Sequence, residues 1–166
     1  MDKIVFITGA SSGIGAGCAR KFASQGASLI LNARNVNKLS ALKEELEKQY
    51  GAKIYLLPFD VRDRKAATSA LESLPKEWQS IDILVNNAGL VIGTDKEQEG
   101  SLDEWDIVID TNIKALLAMT RLIVPGMVER KRGHIINIGS IAGDAAYPGG
   151  SVYLSLIHIS EPTRPY

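Results

Sequence analysis

The chain has 166 residues, 45% of them hydrophobic and 23% charged, which suits one globular domain with a core of its own. Lys plus Arg and Asp plus Glu number 19 each, so no charge surplus points to nucleic acid or an anionic membrane as a partner. No run approaches the ~18 apolar residues of a membrane span, and no leader-like segment precedes the first apolar run, so a cytoplasmic protein is expected.

Ile4-Val5-Phe6-Ile7 predicts a first buried strand. Thr8-Gly9-Ala10-Ser11-Ser12-Gly13-Ile14-Gly15 follows, then a helix from Ala16 through Ala23 that stops at Gly26. The order strand, glycine turn, helix suits a phosphate, because a helix N-terminus presents unpaired N–H groups and partial positive charge. Glycines allow the sharp turn and the close approach, although a plain structural turn also explains them. Cys18 on this helix reads as a small apolar packing residue, and a single cysteine forms no intrachain disulfide.

Ala27-Ser28-Leu29-Ile30-Leu31-Asn32 predicts the second strand. A helix through Leu39, Leu42 and Leu46 follows, capped by Asn35 or Asn37, carrying a Glu44–Lys48 pair and ended by Gly51. Lys53-Ile54-Tyr55-Leu56-Leu57 is a third strand leading into Pro58-Phe59-Asp60-Val61, and a helix from about Arg64 to Leu74 is broken by Pro75. Ile81-Asp82-Ile83-Leu84-Val85 is a fourth strand ending at Asn86-Asn87-Ala88-Gly89. Residues 93–100 are polar and read as loop. Ser101 and Glu104 form a capping box for a short helix whose Trp105 and Ile109 face the core. A further helix from Asn112 to Arg130 is interrupted at Pro125-Gly126, with Arg130, Lys131 and Arg132 at its C-terminal end, where the helix dipole favours cations. His134-Ile135-Ile136-Asn137-Ile138 is a fifth strand, left by Gly139-Ser140.

Buried strands alternating with helices call for a parallel sheet covered on both faces, an α/β fold of the Rossmann type. Such sheets bind ligands beyond the carboxyl ends of their strands. Thr8 to Gly15, Arg34, Asp60, Asn86 to Gly89 and Ser140 all fall at such ends, which indicates a nucleotide site.

Four motifs together resemble the short-chain dehydrogenase/reductases: the pattern Thr8-Gly9-x-x-x-Gly13-x-Gly15, Asn86-Asn87-Ala88-Gly89, Asn112, and Ser140 with Tyr153. Residues 82–89 and 133–150 look closest to the NADP-dependent 3-hydroxy acid (serine) dehydrogenase branch. The resemblance implies a doubly wound dinucleotide-binding domain over residues 1–153, a homo-oligomer, and hydride transfer between a nicotinamide and a small hydroxy acid or alcohol. In the family, Thr8, Gly9, Ser11, Ser12, Gly13, Ile14 and Gly15 would cradle the pyrophosphate. Asp60 and Val61 would flank the adenine, and Asn87, Ala88 and Gly89 would line the adenosine ribose. A structural turn remains an alternative for Asn86-Asn87, and a helix cap for Asp60. NAD-binding relatives carry an acidic residue after the second strand. Here Asn32-Ala33-Arg34-Asn35 has none, and Arg34 offers a fork for a 2′-phosphate, so NADP is the expected cofactor unless Arg34 is only a solvated surface residue.

By the same resemblance Tyr153 is the proton donor and acceptor, Ser140 bonds the substrate oxygen, and Asn112 holds a water in the proton relay. A buried strand-end hydroxyl is the alternative for Ser140, and Tyr147 reads as a substrate-loop or packing residue. A free tyrosine has a pKa near 10, and the family corrects this with a lysine four residues on. That lysine is missing: Ile157 stands there, and no Lys follows Lys131. Residues 154–166, with Pro162 and Pro165, resemble translated sequencing-adapter read-through rather than the family, so His158 receives no role. The chain as written is therefore expected to be truncated after the fifth strand, poorly soluble and inactive. Two other readings stand beside this one: a non-catalytic nucleotide-binding or interaction fragment, and a reductase of steroids, sugars or acyl thioesters.

Overall fold

Five short strands, β1 (Ile4–Ile7), β2 (Ser28–Leu31), β3 (Ile54–Leu56), β4 (Ile81–Asn86) and β5 (His134–Asn137), form one parallel sheet in the order β3-β2-β1-β4-β5. The computed structural model describes residues 3–92, 97–140, 142 and 152–154. Phe6 registers with Ile30 on one side and Leu84 on the other, and Asn86 registers with Asn137 at the far edge. β1 is thus the strand from which the chain departs in both directions, the switch point at which such sheets open a crevice.

Period-two alternation in the strands divides the core. Val5, Ile7, Leu29, Leu31, Ile83 and Val85 face α1 (Gly13–Ser24) and α2 (Val36–Tyr50), meeting Ala16, Ala19, Ala23, Leu39, Leu42 and Leu46. Phe6, Ile30 and Leu84 turn the other way, toward Ala67 of α3 (Arg64–Glu72) and toward Met119, Ile123 and Met127 of α5 (Leu116–Glu129). The sheet is therefore covered on both faces, the doubly wound arrangement expected from the alternation of elements.

Several boundaries differ from the sequence reading, each for a local reason. α1 starts at Gly13, inside the glycine stretch, rather than at Ala16. Asn35, not Asn37, caps α2 by accepting the Lys38 N–H, and Gly51 ends that helix in a left-handed conformation. The i,i+4 ion pair on α2 is Lys43–Glu47, at 3.5 Å, where Glu44–Lys48 was expected. Asp63 caps α3 through the Ala66 N–H, so Asp60 is not the cap. In α4 (Leu102–Ile109), capped by Ser101, the buried residue is Val108, while Trp105 and Ile109 are half-buried.

The larger correction concerns residues 102–129. These form one unbroken run, in which a π turn over Asp110–Ala115 joins α4 to α5. Pro125 does not interrupt it. Pro125 and Arg121, whose carbonyl loses its helical donor, are both exposed residues.

The basic residues after α5 tie down the end of the sheet remote from the crevice. Arg130 donates to the Ile81 carbonyl at 2.8 Å, and Arg132 donates to buried Asp82 at 2.7 Å. The other Asp82 oxygen accepts the Ile4 N–H at 2.9 Å. β1, β4 and the α5–β5 connection thus share one carboxylate. Among the described residues β5 has only β4 as a sheet neighbour, and Leu117 and Val128 of α5 are exposed.

Asp82→Ala is expected to lower unfolding stability by about 1–3 kcal/mol, because it leaves the part-buried Ile4 N–H without its acceptor. Asp82→Asn, which keeps an acceptor for Ile4, should lose about half as much. Urea denaturation of both variants reads the difference, and equal losses would show that the Ile4 bond contributes nothing.

Candidate functional site

The glycine turn is held in place by β4. Thr8, 2% exposed, accepts the N–H groups of Asn87 and Ala88 on its hydroxyl oxygen, both at 3.0 Å, and donates to the Val85 carbonyl at 3.3 Å. Asn87 answers with its amide Nδ2, which donates to the Thr8 and Gly9 carbonyls at 3.0 and 3.1 Å. The two segments come so close that no side chain fits between them. A Cβ on Gly9, whose φ is +63°, would lie 2.9 Å from Ala88 Cα, and one on Gly15 would strike the Gly9 carbonyl oxygen. Asn87 therefore does act as a structural clamp on the turn, a role compatible with ligand contact.

A cleft of about 1020 Å³ opens at the carboxyl ends of the strands. Gly9, Ser11, Ser12, Gly13 and Ile14 of the turn line it, with Arg34, Asp60, Val61, Asn87, Ala88, Gly89, Asn112 and Tyr153. Thr8 and Gly15 do not; they stand behind the turn and shape it. Ser140 is also outside the lining, and its Oγ accepts the Ala142 N–H at 3.2 Å, which leaves its own proton to donate. Tyr147, Ile157 and His158, with the tail from 155 to 166, lie outside the described residues.

Charge gathers at the β2–β3 side. The Asp60 carboxylate takes a guanidinium fork from Arg62, with Nε–Oδ1 at 3.0 Å and Nη2–Oδ2 at 2.6 Å, plus the Arg62 N–H at 3.0 Å. These Arg62 bonds, against the opposing effect of burial, hold the Asp60 carboxyl below the usual aspartate range, and Arg34 adds a smaller push in the same direction. Arg34 itself stays 3.8 Å from Asp60, with its side chain 68% exposed.

Toward β4 and β5 the cleft is lined by amide side chains. In the π turn, Asn112 clamps the Leu90 backbone: Oδ1 accepts its N–H at 2.9 Å and Nδ2 donates to its carbonyl at 2.8 Å. Asn86 Nδ2 donates to Thr120 Oγ1 and Asn137 Oδ1, at 3.0 and 2.9 Å. At the β2 end, Asn32 Nδ2 donates to the Leu57 and Phe59 carbonyls, bracing the segment that carries Asp60. The Oδ1 atoms of Asn32 and Asn86 are buried without a hydrogen-bond donor, and both residues line the cleft.

Sequence reading missed Asn32, Arg62 and Asn137. Asn32 and Asn137 each carry a weak signal, an amide closing an apolar run. Arg62 carries a better one, a guanidinium two residues after an aspartate at a strand end.

These residues fit a phosphate-bearing dinucleotide. Nothing stands within 4 Å of where a Cβ on Gly13 would be, so the turn opens there onto the cleft. Ser12, at the α1 N-cap, makes no side-chain cap bond, and the first-turn N–H groups of a helix have no intrahelical partner. Arg34 adds an exposed cation within the same cleft.

Comparison with known proteins agrees with this geometry. The family model described as short chain dehydrogenase matches residues 3–155. The chain is 49% identical over 150 residues to the NADP-dependent 3-hydroxy acid dehydrogenase YdfG of Escherichia coli O6:H1, which covers 90% of this chain and 59% of that protein. It is 44% identical over 154 residues to the NADP-dependent 3-hydroxy acid dehydrogenase of Schizosaccharomyces pombe, covering 92% and 60%. A solved closed form of serine dehydrogenase complexed with NADP+ superposes with a TM-score of 0.87 at 46% identity, covering 94% of this chain and 61% of that one. The chain thus spans about three-fifths of the length of the curated relatives it matches.

Thr8→Val is expected to destabilise the fold by about 2–4 kcal/mol by stranding two N–H groups, whereas Thr8→Ser should stay within about 1 kcal/mol of the parent. Urea unfolding distinguishes them. Because the folded Asp60 carboxyl is lowered, the stability it contributes is present above the unfolded aspartate pKa of roughly 4 and is lost as pH falls through the lowered folded value. Thermal melts from pH 6 downward should show less acid sensitivity in Asp60→Asn than in the parent.

Proposed function

The chain belongs to the short-chain dehydrogenase family, and on that premise we propose that it works as an NADP(H)-dependent oxidoreductase on a small hydroxy acid or related alcohol or carbonyl compound. The observation that carries this reading is the single cleft in which the glycine turn, exposed Arg34 and Tyr153 meet. The names of the relatives, NADP-dependent 3-hydroxy acid dehydrogenases, support the cofactor and the substrate class. In this reading residues 1–153 form one nucleotide-binding domain, the partner is a small molecule, and the working form is a homo-oligomer.

The dinucleotide, when bound, supplies the hydride chemistry. The protein supplies position and a proton. Ser11, Ser12 and the N–H groups opening α1 receive the pyrophosphate, and Arg34 pairs with the 2′-phosphate. Val61 and Asp60 border the adenine, and Asn87, Ala88 and Gly89 border its ribose. Tyr153 holds the exchangeable proton on its phenolic oxygen. Ser140 Oγ directs its remaining proton to the substrate oxygen, and Asn112, already braced on Leu90, holds a relay water.

Position 157 favours a second reading. Ile157 offers no charge to stabilise a phenolate, and loss of such a partner typically costs on the order of 10²–10⁴-fold in rate. A nucleotide-binding protein without chemistry is therefore the alternative. A genomic read through codons 140–166 decides between them: Lys at position 157 supports the enzyme, and Ile157 supports binding alone.

In calorimetric titration, NADPH should bind at least ~10-fold more tightly than NADH. Arg34→Ala should cost about 10–100-fold in NADPH affinity, the worth of one charge-assisted contact, and change NADH affinity less than ~3-fold. Equal affinities of the parent for the two would defeat the cofactor assignment.

A further inference from the structure

The charged side of the cleft contains a carboxylate where a phosphate-binding surface should repel one. Asp60 is 28% exposed and lies 3.8 Å from Arg34, the cation offered to the 2′-phosphate. Left alone, that carboxylate would do two unfavourable things: raise the negative potential at the phosphate's position, and draw Arg34 into an ion pair of its own. The second happens only loosely here, with Arg34 Nη1 and Asp60 Oδ2 in an ion pair at 3.8 Å. Arg34 remains outside hydrogen-bond distance and largely exposed, because Arg62 already occupies both Asp60 oxygens from a less exposed position, 31% against 68%. A planar fork on a carboxylate is geometrically complete, whereas the Arg34 pair is a single contact to one oxygen, Oδ2, at 3.8 Å.

We propose that Arg62 is a positioning residue for cofactor choice, which neutralises Asp60 and thereby keeps Arg34 available to a ligand phosphomonoester at the adenosine end of the cleft. The inference rests on the reading of Arg34 above and adds a residue to it. Two guanidinium groups against one carboxylate leave this corner with a net positive charge. Remove Arg62 and Arg34 and Asp60 alone balance in charge, free to close on each other. A second carboxylate bears on Arg62 as well, since Asp110 of the π turn favours its charged form. Asp110 is itself ion-paired with Lys114 at 2.7 Å. Lys38, which also lines the cleft, is a further cation within the same corner.

The test measures binding, not turnover. Adenosine 2′,5′-bisphosphate and 5′-AMP share every group except the 2′-phosphate, so the ratio of their affinities isolates that group. Titration calorimetry on the full chain gives this ratio for the parent, Arg62→Gln, Arg62→Lys and the double variant Asp60→Asn with Arg62→Gln. Arg62→Gln is expected to reduce the ratio about 10-fold, almost entirely through weaker bisphosphate binding. Arg62→Lys, which keeps charge but not the fork, should fall between it and the parent. In the double variant no carboxylate remains to be neutralised, and the ratio should return to within ~3-fold of the parent. Failure of that recovery would overturn the proposal, because an Arg62 that touched the phosphate directly would not be rescued by Asp60→Asn. An unchanged ratio in Arg62→Gln would overturn it too. Arg34→Ala separates the two readings: if it lowers the ratio while Arg62→Gln does not, only the present inference falls, and if neither lowers it, the phosphate site at Arg34 falls with it.

Discussion

The hydroxyl of Thr8, buried between β1 and β4, is the interaction on which the cleft depends. One oxygen accepts two consecutive N–H groups from the chain leaving β4, and the amide of Asn87 returns two bonds to the chain leaving β1. Backbone groups at strand ends have lost their ladder partners and would otherwise need water. Here they satisfy one another, and the glycine turn is pressed against Ala88 at a separation that a Cβ on Gly9 would violate, as one on Gly15 would violate the space of the Gly9 carbonyl and the Asn87 amide. The shape of the floor follows from that clamp, and the first turn of α1 is aimed by it.

Around this floor the polar residues divide by side. Beyond β2 and β3 lie Arg34, Asp60 and Arg62, all charged. Beyond β4 and β5 lie Asn86, Asn112, Asn137 and Thr120, all neutral and hydrogen-bonded to backbone or to each other. The division reflects solvent. Arg34 stands 68% exposed, where a charge keeps part of its hydration, while Asn86 is 5% exposed, where an amide costs far less to bury than an ion. Asn32 links the sides to the core by holding the Leu57 and Phe59 carbonyls, so the segment bearing Asp60 is fixed from beneath.

Much of this was legible in the residues, because the strongest signals are local. Apolar runs of four to six residues ending in Thr8, Asn32 or Asn86 give the strands, and a glycine turn between strand and helix gives the phosphate cradle. Most of the cradle and ribose residues read from the chain do line one cleft. What escaped was long-range or competitive. Asp82 reads as one polar residue in an apolar strand, and nothing nearby announces that its partners are Ile4 and Arg132. Asn35 and Asn37 are both competent caps, and only the path of the chain from β2 selects one. Asp60 and Asp63 are likewise both candidates for the start of α3, and in the structure Asp63 caps it while Asp60 holds Arg62. Pro125 is tolerated within the helix although it removes one donor and crowds the carbonyl a turn earlier, at a position exposed to solvent.

The π turn over Asp110–Ala115 has a consequence for how this helix tolerates change. In an uninterrupted α-helix, Val108 and Met119 would point in nearly the same direction, since their separation is close to a whole number of turns. One residue wound in between rotates everything downstream by about 100°. The turn therefore works as a phase shifter: it presents its own Asn112 to Leu90 while the downstream half keeps Met119, Ile123 and Met127 against the sheet. Substitutions within the turn leave that phase intact. A single-residue deletion there would restore the regular winding and set the two halves of the helix against each other, so the segment is more constrained in its length than in its composition.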